Sequence, residues 1–279
     1  MIYGVESMYA FEIERFVRED LGEDDDSTGI VPEVPASARI VCKEDGVLAG
    51  VEEACEVFGY FHAIAEKRRA DGQKARAGDI VLEIRGAAPD VLRAERLALN
   101  FLGRMSGIAT LTAKCVAQVP GGVRVAATRK TTPGFRKFEK KAVKLGGGDA
   151  HRYDLSSAVM IKDNHIAVMG IDGAITAAKK AASFTKKVEI EVESVGDAVL
   201  AAELGADIIM FDNMKPNAIA KGVKKVKGIN AGIIIEASGG ITVDNIGEYG
   251  RTGVDVISLG ALTRDARWLD FSLDMKVIK

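Results

Sequence analysis

Cysteine is scarce in this chain of 279 residues: Cys42, Cys55 and Cys115 stand far apart and are odd in number. That excludes a disulfide framework and any cysteine spacing that would hold a metal. It leaves buried thiols in a reducing cytoplasm. Net charge is scarce too, because 38 Lys and Arg face 40 Asp and Glu and leave a formal charge of −2. Nucleic-acid binders are usually basic overall, so no nucleic-acid partner is expected. Long apolar runs are missing. Runs such as AGIIIEA fall far short of the ~20 residues that span a bilayer, so no membrane is expected. The stretch MIYGVESMYAFEIERF carries acids and no long apolar core, which is not the pattern of a secretory leader. There is no internal repeat and no low-complexity segment.

What is present is an ordinary globular composition, 47% hydrophobic and 28% charged, which suffices for a substantial core in one large domain or two modest ones. The first part mixes helices and strands. MYAFEIERFVREDLG has helical spacing and ends at Gly22, and the acidic EDDDSTG that follows is a loop. SARIVCKEDGVLAG predicts two short strands around an Asp-Gly turn. Apolar residues at 54, 55, 58, 61 and 65 predict a helix over EEACEVFGYFHAIAEKRRA. GDIVLEIRG reads as a strand. PDVLRAERLALNFLGRMSG reads as a helix with Pro89 near its start and Gly107 just past its end. Val91, Ala98, Leu102 and Met105 share one face of it, and Arg93, Arg96 and Asn100 the opposite one.

From about residue 107 six short apolar runs alternate with helical stretches: VRVAATRK, AVMIKDN, KVEIEVES, ADIIMFDN, GIIIEASGG and VDVISLGA. That alternation predicts a parallel sheet with right-handed crossovers. An open doubly wound sheet would satisfy it, but the polar residues favour a barrel. Each run is apolar at its start and reactive at its end: Arg129 and Lys130, Lys162, Glu191 and Glu193, Asp212, Glu236 with Ser238, and Gly260. Barrel enzymes keep their chemistry at the C-terminal strand ends. The final WLDFSLDMKVIK alternates as a half-buried antiparallel strand and is expected to return to the sheet of the first domain. The predicted divisions are 1–106, 107–264 and 265–279.

The segment ATRKTTPGFRKFEKKAVKLGGGDAHRYDLSSAVMIKDNH crowds cations into a nearly neutral chain. Lys137, Lys140, Lys141 and Lys144 read as the solvated face of a helix whose apolar stripe is Phe135, Phe138, Ala142 and Leu145. Arg129 and Lys130 end a strand, His151 and Arg152 follow a triple glycine, and Lys162 ends an apolar strand where it must be paired or bind something. His165 reads as a cap for the next helix. In VEIEVES, Glu189, Glu191 and Glu193 point to one side, into the barrel, where Lys162 and Lys130 are the expected partners. Glu189 reads as part of a structural ion network. Glu191 and Asp212 have the oxygen chemistry of a Mg²⁺ site. The glycine-bearing EASGG and LGAL offer bare backbone N–H groups at adjacent strand ends, a phosphate cradle. So many positive groups suit a compact ligand with more than one carboxylate.

Taken in order, ERLALNFLGRMSGIAT, ATRKTTPGFR, GGGDAHR, MIKDNH, VEIEVE, FDN, EASGG and GALT resemble the quinolinate phosphoribosyltransferase family, over nearly the whole chain. The resemblance implies an N-terminal α/β sandwich followed by an incomplete TIM-like α/β barrel. It implies a Mg²⁺-dependent reaction of quinolinate with 5-phosphoribosyl-1-pyrophosphate to give nicotinate mononucleotide, CO₂ and pyrophosphate, in a homodimer or larger oligomer. It places Thr128, Arg129, His151, Arg152 and Lys162 in the quinolinate pocket, with Arg96 supplied across the dimer interface. Lys130 falls near the pyrophosphate. Glu191 and Asp212 fall at the ribose and its metal, so that Lys130, Lys162, Glu191 and Asp212 make up the catalytic set. Ser238, Gly239, Gly240, Leu259, Gly260 and Ala261 fall at the 5′-phosphate. The chain departs from the family pattern at Ala150, where Asn is usual, at Arg264, where His commonly follows GALT, and in EDDDSTG. Two alternatives share the barrel: a paralogue associated with molybdenum-transport operons that acts on another phosphoribosyl acceptor, and a lyase using Lys162 as a Schiff-base nucleophile.

Overall fold

The computed structural model describes residues 8–23 and 25–278. Residues 1–7, which open the stretch read as lacking a leader, Asp24 of the acidic loop and Lys279 of the last predicted strand lie outside the described residues. The chain divides into two compact units, 1–110 with 266–279, and 111–265.

In chain order the elements are α1 (Ala10–Leu21), β1 (Pro35–Cys42), β2 (Gly46–Val47), α2 (Val51–Tyr60), β3 (Ile64–Lys67), β4 (Lys74–Ala75), β5 (Ile80–Ala87) and α3 (Ala88–Val116). There follow β6 (Arg124–Ala126), α4 (Arg136–Leu145), β7 (Val159–Ile161), α5 (Asp163–Ala181), β8 (Val188–Val192), α6 (Val195–Glu203) and β9 (Ile208–Asp212). The chain closes with α7 (Pro216–Ile229), β10 (Ile234–Ser238), α8 (Ile246–Gly250), β11 (Val256–Ser258), α9 (Ala261–Arg264) and β12 (Phe271–Val277).

The first unit is built on a four-stranded antiparallel sheet of order β12-β1-β5-β3. Alternation drives it: Ala36, Ala38, Ile40 and Cys42 of β1 are buried, and the register sets Met275 opposite Ala38, Leu273 opposite Ile40 and Phe271 opposite Cys42. Two apolar rows thus form one continuous face. Phe58, Phe101, Leu102 and Met105 from α2 and α3, with Ile40, Leu82 and Ile84 from the sheet, are among the largest fully buried side chains. Burial of each such side chain stabilises by about 1.5–3 kcal/mol.

Three local expectations for this unit are corrected. β1 and β2 do flank Asp45-Gly46, but they do not pair with each other; β1 pairs with β5 and β12, and β2 with β4. The helix expected to continue beyond residue 60 stops at Tyr60, because His62 takes a left-handed backbone (φ 64) and the chain returns as β3 along β5. α3 does not end near Gly107 but runs 29 residues to Val116. Gly107 is there for clearance, not for capping: a Cβ on it would lie 1.9 Å from the Arg267 carbonyl oxygen.

The second unit holds all six predicted runs as strands of one parallel sheet, order β6-β11-β10-β9-β8-β7. Chain order is kept from β7 to β11, and β6 then pairs with β11, so the sheet curls almost into a ring. The open seam lies between β6 and β7. Asp149, in the connection before β7, bridges part of it in parallel with Ala126: its N–H donates to Val125 O at 2.8 Å and its carbonyl accepts the Ala127 N–H at 2.9 Å. An incomplete barrel is therefore the architecture. α5, α6 and α7 cover successive strands, the layer that buries the outward Val188, Ile190 and Val192.

The clearance at Gly107 is tested by substitution. Gly107→Ala should lower stability by about 1–3 kcal/mol, since the obstacle is backbone. Gly59→Ala, in α2 with nothing within 4 Å of the added Cβ, should be neutral or stabilising. Equal melting temperatures for the two variants would contradict this account.

Candidate active site

The parallel register sets the strand ends side by side. Ser238 is opposite Asp212, Glu191 is opposite Met210 two positions before Asp212, and Ser258 is opposite Ala126. Lys162 follows β7 and precedes α5. Its backbone N–H donates to His165 Nδ1 at 3.1 Å, so His165 caps α5 as expected. Its ammonium reaches across to Glu191 Oε1 at 2.5 Å. The pair lines a cavity of about 500 Å³ together with Asp163, Glu193, Asp197 and Asp212. Lys130 is not a partner of these carboxylates, because β6 pairs with β11 and β8 lies between β7 and β9.

The acid end is locked to the glycine loop. Asn213 adopts a left-handed backbone (φ 53), donates from Nδ2 to Asp212 Oδ2 at 2.7 Å, and donates its N–H to Ser238 O at 3.0 Å. Its side chain occupies the space beside Gly239, where a Cβ would meet Oδ1 at 2.3 Å. Ser258 Oγ donates to Ser238 Oγ at 3.0 Å, joining the β10 and β11 loops. Leu259 N–H is engaged by Ala126 O at 3.0 Å, and Gly260 and Ala261 lead on into α9. Lys130 lies over this loop, with Cδ 2.9 Å from the position of a Cβ on Gly260. Its own backbone is fixed by Thr128 Oγ1, which accepts the Lys130 N–H at 3.1 Å, and by Thr263 Oγ1, which donates to Lys130 O at 2.7 Å. Arg129 Nε is buried with no hydrogen-bond partner.

A second centre lies inside the barrel. His151 Nε2 is 3.1 Å from Glu236 Oε2, and Arg152 N–H donates to His151 Nδ1 at 2.8 Å. Glu189 is within reach of the same group, and one donor atom from each of His151, Glu189 and Glu236 falls within 4.8 Å of the others. Burial disfavours a charged imidazole, yet the hydrogen bond and charge of Glu236, with Glu189, outweigh it and raise the His151 pKa. Burial, then the charge of Glu236, pushes Glu189 up to about 7, with His151 and Arg152 opposing. The lysine network expected for Glu189 is not found: its Oε1 has no hydrogen-bond partner, and the positive groups acting on it are His151 and Arg152.

Lys140 is the other correction. It was expected on a solvated face and is 2% exposed, its ammonium donating to Ala150 O. Burial, with the positive charges of Arg136, Arg129 and Arg152, lowers its pKa to about 8. Helical periodicity does not reveal this, because the segment after α4 folds back over the face opposite the apolar stripe. Of the departures from the family pattern, Ala150 thus offers its carbonyl to Lys140, and Arg264 is exposed and paired with Asp265 at 2.6 Å. Arg96 is in the first unit, exposed on α3, where its charge acts on Asp20.

The arrangement is a parallel α/β barrel with hard carboxylates at two adjacent strand ends, glycine loops at the next two, and a cation cluster in the same unit. The chain belongs to the quinolinate phosphoribosyl transferase family, whose N-terminal domain model matches residues 25–106 and whose C-terminal domain model matches residues 108–274. It is 50% identical over 248 residues to a probable nicotinate-nucleotide pyrophosphorylase [carboxylating] of Archaeoglobus fulgidus, covering 87% of this chain and 95% of that one. It is 43% identical to the human nicotinate-nucleotide pyrophosphorylase [carboxylating], over 86% of this chain and 82% of that one. The crystal structure of NadC from Streptococcus pyogenes superposes with a TM-score of 0.92 at 39% identity, covering 98% of this chain and 99% of that one.

Lys140 makes a pH prediction. Its folded pKa lies below its unfolded value, so the buried charge costs stability below about pH 8, and that cost fades as pH rises towards 10.5. The stability of the wild type relative to Lys140→Met should therefore rise by on the order of 3 kcal/mol over that window. Denaturant titrations at pH 7 and pH 10.5 check it; a difference independent of pH would refute it.

Proposed function

We propose that this chain is a decarboxylating phosphoribosyltransferase that joins quinolinate to 5-phosphoribosyl-1-pyrophosphate. Products are nicotinate mononucleotide, CO₂ and pyrophosphate. The observation that carries the reading is the presence of two opposed charge fields in one barrel unit. Glu191 and Asp212 line one cavity, while Arg129, Lys140 and Arg152 crowd together near enough to lower a lysine pKa. A pyridine dicarboxylate supplies the charge that the cation cluster lacks. The family membership and the names of its relatives support the same reaction.

Thr128, Arg129, His151, Arg152 and Lys162 form the quinolinate pocket in this reading, and clamping both carboxylates holds the ring nitrogen in line with the ribose C1. Lys130 meets the leaving pyrophosphate from its place over Gly260. Ser238, Gly239, Gly240, Leu259, Gly260 and Ala261 hold the 5′-phosphate. Positive charge builds on the sugar as pyrophosphate leaves, and Glu191 and Asp212 stabilise it. The ring nitrogen, cationic after attack, stabilises the electron pair that stays on the adjacent ring carbon as CO₂ leaves, and that carbon then takes a proton with the pair.

The donor set fits a Mg²⁺ ion: Glu191 and Asp212 are hard oxygen ligands on one cavity wall, with further carboxylates at its edge. Such an ion, when bound, neutralises pyrophosphate charge. A Schiff-base role suits Lys162 poorly. Its side chain is 42% exposed and its ammonium is paired with Glu191, whereas an activated amine is desolvated or held beside another cation.

The reading extends to a homodimer in which Arg96 completes the partner's pocket, and to the cytoplasm. Three free thiols support the latter. Burial, the largest cause in each case, pushes Cys55 and Cys115 up to about 11, which leaves them unreactive. No helix among the described residues is long and apolar enough to cross a membrane.

Incubating the protein with quinolinate, phosphoribosyl pyrophosphate and Mg²⁺ should yield nicotinate mononucleotide, with none from nicotinate in a parallel tube; product from neither acid would sink the proposal. Arg152→Ala should weaken quinolinate binding by at least tenfold, consistent with loss of a charge-assisted hydrogen bond of about 1.5–3 kcal/mol. Arg96→Ala and Lys162→Ala should each be inactive, and their mixture should regain partial activity through hybrid dimers. No recovery after confirmed subunit exchange would exclude a shared pocket.

A further inference from the structure

His151 has no ring nitrogen left over. Nδ1 accepts the Arg152 N–H at 2.8 Å, which places the ring proton on Nε2, and Nε2 faces the Glu236 carboxylate at 3.1 Å. The two side chains are 15% and 3% exposed, so water does not substitute for either. The backbone at His151 is left-handed, φ 53, and Asp149 Oδ1 holds that turn by accepting the His151 N–H at 2.7 Å. A ring engaged at both ends is a spacer. One end rests on β10 through Glu236, and the other on the backbone of Arg152, the arginine that the quinolinate reading sets on a substrate carboxylate.

Glu236 has no evident value to the fold. It is 2% exposed, and its Oε1 has no hydrogen-bond partner. A carboxylate buried in that state costs stability, and replacing both members of a buried pair such as Glu236 and His151 with apolar residues is often neutral or stabilising. Its contribution must therefore be sought in what it holds.

We propose that Glu236 is a positioning residue of the dicarboxylate pocket: acting through the His151 imidazole on the backbone of Arg152, it sets where the Arg152 guanidinium meets the substrate. The proposal rests on quinolinate being the ligand. Within that pocket it gives His151 the further task of supporting Arg152.

The test is calorimetric titration of quinolinate into wild type, Glu236→Leu, Glu236→Gln, His151→Leu and the Glu236→Leu/His151→Leu double variant, with melting temperatures recorded for each. Glu236→Leu should bind about tenfold more weakly, the loss of one hydrogen bond to a charged group, while the double variant, which removes both members of the pair, melts at or above the wild-type temperature. Glu236→Gln should recover most of that loss, because its amide oxygen can accept the Nε2–H. The double variant should bind no worse than the weaker single variant. Independently of any ligand, the chain has 3 histidines, so ¹⁵N-histidine labelling should show one slowly exchanging Nε2–H that Glu236→Leu removes. Unchanged quinolinate affinity in Glu236→Leu would overturn the proposal. So would losses that multiply in the double variant, or a lowered melting temperature that accounts for the weaker binding. Turnover is assayed separately. Wild type that binds quinolinate without turning it over defeats the transferase reading and leaves this one standing; wild type that turns over while Glu236→Leu binds normally defeats this one alone.

Discussion

The site depends on one constraint: six strands run parallel in a single sheet, so all their C-terminal ends emerge on the same side. Parallel pairing is what sets Asp212 beside Ser238 and brings Glu191 level with Met210, two positions earlier on the same neighbouring strand. No loop has to reach far. An acid, an acid and a glycine turn arrive at adjacent positions because the ladder hydrogen bonds leave them nowhere else to go. The short contacts above the sheet, Lys162 to Glu191 and Asn213 to Asp212, then fix side chains whose backbones are already placed.

The cation cluster depends on the opposite principle. It comes from irregular chain, from the end of β6 through α4 to the segment before β7, and it is compact enough that the positive charges suppress one another. Lys140 shows the result: buried, bonded to a carbonyl and surrounded by arginines, it holds its proton less tightly than an ordinary lysine. Such a cluster is a poor structural element, which is why the proposed function gives it a dianion to bind. Within the interior centre of His151, Glu189 and Glu236, the charges of His151 and Arg152 act on Glu189 against its burial.

The barrel was legible in the sequence because each strand is short, apolar and closed by a polar residue, a period that survives without any tertiary information. His165 as a cap and Lys162 beside a glutamate were legible for the same reason, being set by neighbours along the chain or by strand order. What escaped was set by approach from elsewhere. Gly107 looks like a helix stop, yet it is a clearance for the Arg267 carbonyl. Lys140 looks solvated, because a helical wheel cannot show the chain that returns across it. His62 turns a helix into a strand through one left-handed residue. Glu236 offered a signal that could have been weighed more heavily: a carboxylate in the middle of an apolar strand needs a reason to be there.

The open seam between β6 and β7 has a consequence for how this architecture can diversify. Only Asp149 bridges it among the named pairings, and the residues that follow, His151 and Arg152, are mounted on that bridge and not on a strand of the ring. Residues 150–158 take no part in the named strand pairings, so changes there leave every register of the sheet in place. In the proposed reading, the wall that handles ribose and phosphate is built into the ring, and part of the acceptor pocket is seated in the gap. Selection on acceptor specificity and selection on fold stability act on physically separate pieces of the same barrel.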